Sequence, residues 1–350
     1  MDYNVEKINS FSKNYHKPYN NLFLNKVGIS YKKIGEEAIS KNEVGLLILA
    51  GGQGTRLGFD GPKGCYKIKK LNLSLFEIFI TKIRQIENKY GIKLEKIVMT
   101  SDFTDEETRK YLPDDFIFLK QDSVQCTDLN NMPVNCFSAN GNGGIFAPMQ
   151  FQKLKCKILN VVGVDNILCN IIDPVAIGCF LDNNYEILSK GVTKRKNEKA
   201  GIFINSNGRV LIKEYDTIND TSDEEMIEEE QANILNHYFH SDFFKKKIHL
   251  DYHISKKKLK FFQNGRIVEI EGYKKELFIF DSFLYSDRVG VINVPRELEF
   301  SPLKNGMDKK EYNEETCAAD FINALEIKKR LSGSHTREFE FAEKDVSGLK

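Results

Sequence analysis

The amino-acid sequence predicts an α/β fold built on an open, mostly parallel sheet with an antiparallel extension. Three observations carry that prediction. Short apolar runs that stop at glycine or aspartate recur, as in Val44–Leu49 and Lys157–Val164, and such runs mark strands buried on both faces. Segments with helical periodicity and their own caps separate the runs, the pattern of a parallel sheet with crossover helices. Beyond Tyr185, Asn207-Gly208 stands between two apolar runs in "GIFINSNGRVLIKEY", the strongest short signal for a hairpin.

Taken in order, the opening forty residues are polar and partly helical, without an assignable role. Val44–Leu49 is the first buried strand. Ser74 followed by Glu77 is a capping box. Leu75, Ile78, Phe79, Lys82, Ile83 and Ile86 then fall at helical spacing, and Gly91 closes the helix. Leu94–Thr100 reads as a strand, Thr104 with Glu107 as another capped helix, and Phe116–Leu119 as the next strand. Lys157–Val164 is again a strand, with Asp165 at its end. Asp173-Pro174 supplies a cap and a first-turn proline for a further helix. The acidic run Asp223–Glu230 reads as a solvated loop or helix face, and Glu315–Leu331 as one amphipathic helix in a charged tail.

The bulk composition excludes several classes. The 350 residues are 41% hydrophobic and 29% charged, which is ordinary globular composition. A net charge of +1 gives no global field for nucleic acid. No stretch approaches the ~20 apolar residues of a membrane span, and the first twenty residues lack the pattern of a secretion signal. Seven cysteines without a C-x-x-C pair suit free thiols in a reducing compartment. A cytoplasmic protein is expected.

The chemistry concentrates in "LILAGGQGTRLGFDGPKG", Leu47 to Gly64. Gly51, Gly52 and Gly54 let backbone N–H groups approach an anion, and a following helix N-terminus would add partial positive charge. Arg56 can fork two phosphate oxygens and Lys63 acts as a point charge. A polyphosphate fits. A purely structural turn remains an alternative. The string G-x-x-x-x-G-K-[ST] is absent, and Leu57 stands where a dinucleotide fingerprint needs its third glycine, which weakens a nicotinamide reading without excluding it. Cys65, beside Lys63, is expected to have a lowered thiol pKa and no role. His237 reads as a satisfied structural histidine, since no partner stands at metal-ligand spacing.

The complete string "LAGGQGTRLG…PKG" resembles the signature of the eukaryotic UDP-N-acetylhexosamine pyrophosphorylases, nucleotidyltransferases that share a Rossmann-like sheet. The likeness continues in the same order through "FLKQD", "NGNGGIF", "VVGVDN", "EKAGIF", "IKEY", "QANILNHYF", "FIFD" and "FSPLKN". It implies a catalytic domain over 44–305, an N-terminal arm over 1–43 and a short helical tail over 306–350. Gly51, Gly52, Gly54, Thr55, Gln121 and Gly141 would hold the nucleotide, with Gln121 reading uracil. Asn142, Gly201, Glu214, Asn233, Phe278 and Phe280 would line the sugar site. Arg56, Lys63 and Lys304 would serve the phosphates. Asp165 would anchor Mg²⁺, or Mn²⁺ in its place, with Asp281 as a second ligand.

The implied reaction joins UTP and N-acetylglucosamine 1-phosphate into UDP-N-acetylglucosamine and pyrophosphate, in a monomer or weak homo-oligomer. The alternatives are a different or broader sugar preference, or an inactive nucleotide-sugar binding protein. The chain departs from the family pattern in its short tail, in Gln125 where proline is expected, and in Ala232 where glycine is expected beside Asn233. The last substitution is expected to bring a methyl group near the sugar.

Overall fold

The computed structural model describes residues 5–7, 15–16, 19–20, 23–24, 26–146, 154–206, 208–214, 230–263 and 265–331. Four short strands come first: β1 (Val5–Lys7), β2 (Tyr15–His16), and the paired β3 (Tyr19–Asn20) and β4 (Phe23–Leu24). Helix α1 (Lys26–Ser40) leads into β5 (Val44–Leu49). A small hairpin, β6 (Lys67–Ile68) and β7 (Leu73–Ser74), precedes α2 (Leu75–Tyr90). The expected capping box is present: Ser74 Oγ accepts from the Glu77 N–H at 3.0 Å, and the Ser74 N–H donates to Glu77 Oε2 at 2.7 Å. Gly91 closes the helix in the left-handed region at φ 64°.

Next come β8 (Glu95–Thr100), α3 (Asp105–Tyr111) and β9 (Phe116–Lys120). The expected side-chain cap of α3 is not made. Thr104 Oγ1 accepts from the Ser101 N–H at 3.0 Å instead, serving the turn that leaves β8. A hairpin of β10 (Ser123–Asp128) and β11 (Pro133–Ala139) follows, then β12 (Ile158–Gly163) and α4 (Pro174–Asp182). Asp173 Oδ1 accepts from the Val175 N–H at 2.9 Å, the cap that the Asp-Pro pair predicts. The chain continues through β13 (Ile187–Thr193), β14 (Ile202–Ser206), β15 (Arg209–Lys213) and β16 (Gln231–His240). It ends with β17 (His253–Gln263), β18 (Arg266–Glu276), β19 (Val289–Asn293), the short α5 (Arg296–Glu299) and α6 (Glu314–Leu331). Ser206 pairs with Arg209, so the predicted hairpin turns over two residues, of which Asn207 lies outside the described residues. The acidic run lies outside them too, apart from Glu230.

Eleven strands form the central sheet, in the order β2-β19-β13-β16-β12-β5-β8-β9, with β14, β15 and β1 attached beside β16. Strands β12, β5, β8 and β9 are mutually parallel, as are β13, β19 and β2. The antiparallel part is more than an extension at the rim, because β16 runs antiparallel inside the sheet, between β12 and β13. A separate antiparallel sheet, β11-β10-β18-β17, stands outside it.

Successive residues of β5 face opposite layers. Leu46 and Ile48 pack with Tyr31 and Ala38 of α1, Phe76 and Phe79 of α2, Ile177 of α4, and Cys317 and Ala318 of α6. Leu47 and Leu49 pack on the other face with Leu159, Phe239 and Phe283. The helices on either side of residues 44–305 therefore share the core of the sheet. Among the described residues no helix is long and apolar enough to cross a membrane.

Candidate active site

The glycine loop starts where β5 ends. The Ala50 N–H still donates to the Met99 carbonyl at 2.8 Å, after which the chain leaves the sheet. Two bonds then close the loop on itself: Gly54 N–H to Gly61 O at 2.9 Å and Lys63 N–H to Gly52 O at 3.0 Å. A single 3-10 turn, Thr55–Leu57, occupies the tip. The expected helix N-terminus is absent here, since α2 begins only at Leu75. Backbone amides and side-chain cations must supply the attraction for an anion without a helix dipole. Gly52 is exposed, and a Cβ there would meet nothing within 4 Å.

Gly51 has a different constraint, because a Cβ there would lie 1.7 Å from Gln121 Nε2. The Gln121 side chain is buried against the loop, and its Oε1 has no hydrogen-bond partner among the described residues. A buried amide oxygen without a partner is costly, so a ligand N–H is its natural complement. Gly51→Ala is expected to push Gln121 aside and weaken UTP binding by roughly tenfold or more, as for a lost buried hydrogen bond. Calorimetric titration with UTP checks this, and unchanged affinity contradicts it.

The second glycine turn lies beside Gln121, because the Asn140 N–H donates to Asp122 O at 2.8 Å. Gly141 has φ 93°, and a Cβ there would come 2.4 Å from Leu277 O, so only glycine fits. Asn140 O accepts from the Leu277 N–H, and the Gly143 N–H returns to Leu277 O. The Ile279 N–H donates to Asn142 Oδ1 at 2.8 Å, which commits that oxygen to the fold and leaves the amide nitrogen for a ligand. These bonds carry the Phe278 and Phe280 rings to the turn, stacked 5.1 Å apart. Asn140 Oδ1 is a second buried oxygen without a partner among the described residues. Sequence reasoning missed it, because Gly141 and Asn142 were the residues of "NGNGG" that stood out.

The residues expected at the sugar also meet. Gly201 O accepts from the Asn233 N–H at 2.9 Å, and a Cβ on Gly201 would lie 3.0 Å from Glu214 Oε1. Asn233 sits at a bulge where β13 and β16 slip register and Leu235 adopts φ 52°. The Leu235 N–H donates to Asn233 Oδ1 at 2.9 Å, and the Leu235 side chain reaches Gly163, just before Asp165. The Ala232 methyl group, expected near the sugar, does not share a face with Asn233. It is fully buried with Val192, Ile234, Val294 and Phe300, on the face of β16 opposite Asn233.

Asp165 follows β12 and joins the residues expected at the phosphates. Lys63 Nζ lies 3.3 Å from Asp165 Oδ2. The Leu303 N–H donates to Asp165 O at 2.8 Å, which seats Lys304 next to it. Asn166 fixes the same crossing, its Oδ1 accepting from the Ser301 N–H at 2.9 Å and its Nδ2 donating to Glu299 O at 2.8 Å. Burial works to raise the Asp165 pKa, but the charges of Lys63 and Lys304 outweigh it and hold the carboxyl below its usual range. Arg56 is exposed on the glycine loop, and its backbone meets the segment that follows Lys304: a Cβ on Gly306 would lie 3.0 Å from Arg56 O.

Three expectations need correction. Cys65 is no activated thiol, since burial pushes its pKa up to about 11. His237 is only half satisfied: Nδ1 pairs with Ser189 Oγ at 2.7 Å, while Nε2 is buried without a partner among the described residues. Burial pushes its pKa down to about 3, so the ring is neutral. Asp281 pairs with His253 Nε2 at 2.7 Å rather than with the Asp165 group. The His253 ring also lies 4.4 Å from that of Phe278, tilted by 39°. Among the described residues no cluster of three or more His, Cys, Asp or Glu could hold a metal ion. Asp281 thus lies, through His253, beside Phe278.

Behind the Asp165 crossing lies a buried charge network that sequence reasoning did not detect. Lys190 is fully buried, with Nζ 2.7 Å from both Asp173 Oδ2 and Glu299 Oε2. Lys82 of α2 donates to Ile167 O and Cys169 O at 2.7 Å each, holding the loop that leaves Asp165.

The chain is similar to known proteins over most of its length. A protein of Encephalitozoon cuniculi named "Probable UDP-N-acetylglucosamine pyrophosphorylase" is 43% identical over 89% of this chain and 95% of its own length. The UDP-N-acetylglucosamine pyrophosphorylase of Saccharomyces cerevisiae is 34% identical over 83% of this chain and 71% of its own. The solved uridine diphosphate N-acetylglucosamine pyrophosphorylase of Trypanosoma brucei shares the fold, with TM-score 0.78 and 24% identity over 99% of this chain and 78% of that one. The model of the UTP–glucose-1-phosphate uridylyltransferase family matches residues 2–331, and the chain belongs to that family.

Proposed function

We propose that this chain transfers the uridylyl group of UTP to N-acetylglucosamine 1-phosphate, reversibly, with release of pyrophosphate. The observation that carries this reading is the gathering of Lys63 and Lys304 around Asp165, beside an open glycine loop and the Gly201–Asn233 pair. The names of the relatives supply the sugar.

In this reading a sugar-phosphate oxygen attacks the α-phosphorus of UTP. The bond from that phosphorus to the bridging oxygen breaks, and its electron pair leaves with pyrophosphate. The attacking phosphate is largely ionised at neutral pH, so no general base is required, and positioning with charge neutralisation supplies the rate. Gly51, Gly52, Gly54 and Thr55 cradle the nucleotide while Gln121 and Gly141 hold the uridine. Asn142, Gly201, Glu214, Asn233 and the Phe278–Phe280 wall hold the sugar. Arg56 neutralises the departing pyrophosphate, and Lys63 and Lys304 grip phosphates from two sides.

Asp165 offers a hard carboxylate oxygen of the kind Mg²⁺ takes, and such ions take most of their remaining ligands from substrate phosphates and water. A bound Mg²⁺ would supply charge neutralisation across the phosphates, with Asp165 as its protein ligand.

Purified protein with UTP, Mg²⁺ and a panel of sugar 1-phosphates is expected to release pyrophosphate fastest with N-acetylglucosamine 1-phosphate. Release with the glucose compound alone would overturn the sugar assignment, and no release would overturn the reaction. Asn233→Ala is expected to raise KM for the sugar phosphate with UTP affinity unchanged; equal weakening of both would place Asn233 outside the sugar pocket.

A further inference from the structure

We propose that Tyr312 and Glu314, at the start of α6, are positioning residues that set the spacing of the three segments bearing the site. The inference rests on the uridylyl-transfer reading above. Tyr312 O accepts from both the Lys304 and Asn305 N–H groups, at 2.8 and 2.9 Å, and so fixes the backbone under the Lys304 side chain. The Tyr312 hydroxyl donates to Glu198 Oε1 at 2.5 Å. Glu198 is also paired with Arg296 at 2.6 Å and lies on the segment that leads into Gly201. One residue thus joins a phosphate cation to the sugar segment.

Glu314 reaches the third segment. Its Oε2 accepts from the Tyr66 hydroxyl at 2.5 Å and its Oε1 from the Lys69 N–H at 2.6 Å, just beyond the Lys63–Cys65 turn. The Tyr66 ring meets Phe59 edge-on at 5.7 Å. Phe59 fills the inside of the glycine loop, with a ring carbon 2.8 Å from where a Cβ on Gly54 would be. The path from Glu314 to the loop amides is continuous through packed rings.

Two features mark this as a device rather than incidental packing. Tyr312 holds φ 57°, a conformation that a bulky L-residue adopts only when its surroundings over-determine it. Glu314 fills both carboxylate oxygens with donors from one loop, which a glutamine, with one acceptor, cannot reproduce. Lys63 and Lys304 carry like charges on long flexible stems. Only fixed backbones can hold them at the separation a triphosphate needs, and misplacement by about 1 Å can cost on the order of a hundredfold in rate.

The test uses the full chain with Glu314→Gln and Tyr312→Phe. Glu314→Gln is expected to lower kcat or raise KM for UTP by roughly tenfold with KM for the sugar phosphate unchanged. Tyr312→Phe is expected to raise KM for the sugar phosphate with KM for UTP unchanged. If Glu314→Gln does not fold, Tyr66→Phe removes the same contact with less disturbance. Wild-type kinetics in both variants, or losses equal for both substrates, would overturn the inference. Hydrogen exchange separates this outcome from failure of the functional reading. Should the wild type release no pyrophosphate, faster exchange confined to 52–69 in Glu314→Gln and to 196–201 in Tyr312→Phe still supports the spacing role, and unchanged exchange refutes it.

Discussion

Arg56→Ala is expected to lower turnover by on the order of a hundredfold or more, the usual effect of removing a charge that acts on the transition state. The fold should barely respond. Arg56 is exposed on a one-turn helix at the tip of the glycine loop and makes no ion pair or side-chain hydrogen bond among the described residues. The loop is closed by backbone bonds from Gly54 and Lys63 that do not involve Arg56. Thermal melting should therefore stay near wild type while kcat for pyrophosphate release falls. Near-wild-type turnover would remove Arg56 from the chemistry, and a large drop in melting temperature would make its role structural.

Lys190→Met is expected to destabilise the fold by about 3–5 kcal/mol, because removing one partner of a buried ion cluster leaves the others uncompensated. Asp173 and Glu299 would both lose their charge partner in a site where all three side chains are nearly inaccessible. Burial already works to raise the Glu299 pKa, against the Lys190 charge. The loss should shrink as pH falls, since protonating Glu299, whose pKa burial raises, removes negative charge left without Lys190. Urea denaturation at two pH values measures both effects. A loss no larger than solvent-exposed ion pairs give in general, at most about 1 kcal/mol, would contradict this. The local consequence is also specific. Asp173 caps α4, and Glu299 O is held by Asn166 next to Asp165, so the network braces the crossing on which Lys304 sits.

The readable elements were those with local chemistry of their own. Ser74–Glu77, Gly91, Asp173-Pro174 and Gly208 each specify a cap or turn within a few residues, and each appears as expected apart from the undescribed half of the hairpin turn. Thr104 shows the limit of such reasoning, because the hydroxyl had a competing donor one turn earlier, in Ser101. Strand β16 was not placed between β12 and β13, since its position is set by long-range pairing and no local pattern encodes it. The sheet of β17 and β18 was missed because lysines crowd its exposed positions and mask the alternation.

The same division holds at the site. Motifs found Arg56, Lys63, Asp165 and Lys304, but the approach of Lys304 to Asp165 depends on the crossing of Asn166 with Pro302. The pairing of Asp281 with His253 and the burial of Lys190 arise from residues far apart in the chain, and nothing near either one announces them.

Bare backbone amides and three cations from separate segments are expected to enclose one triphosphate. A crystal structure with UTP bound decides this: phosphates should lie over Gly52, contacted by Arg56, Lys63 and Lys304, with uracil against Gln121. UTP seated away from Gly52, with Arg56 and Lys304 in solvent, would refute it.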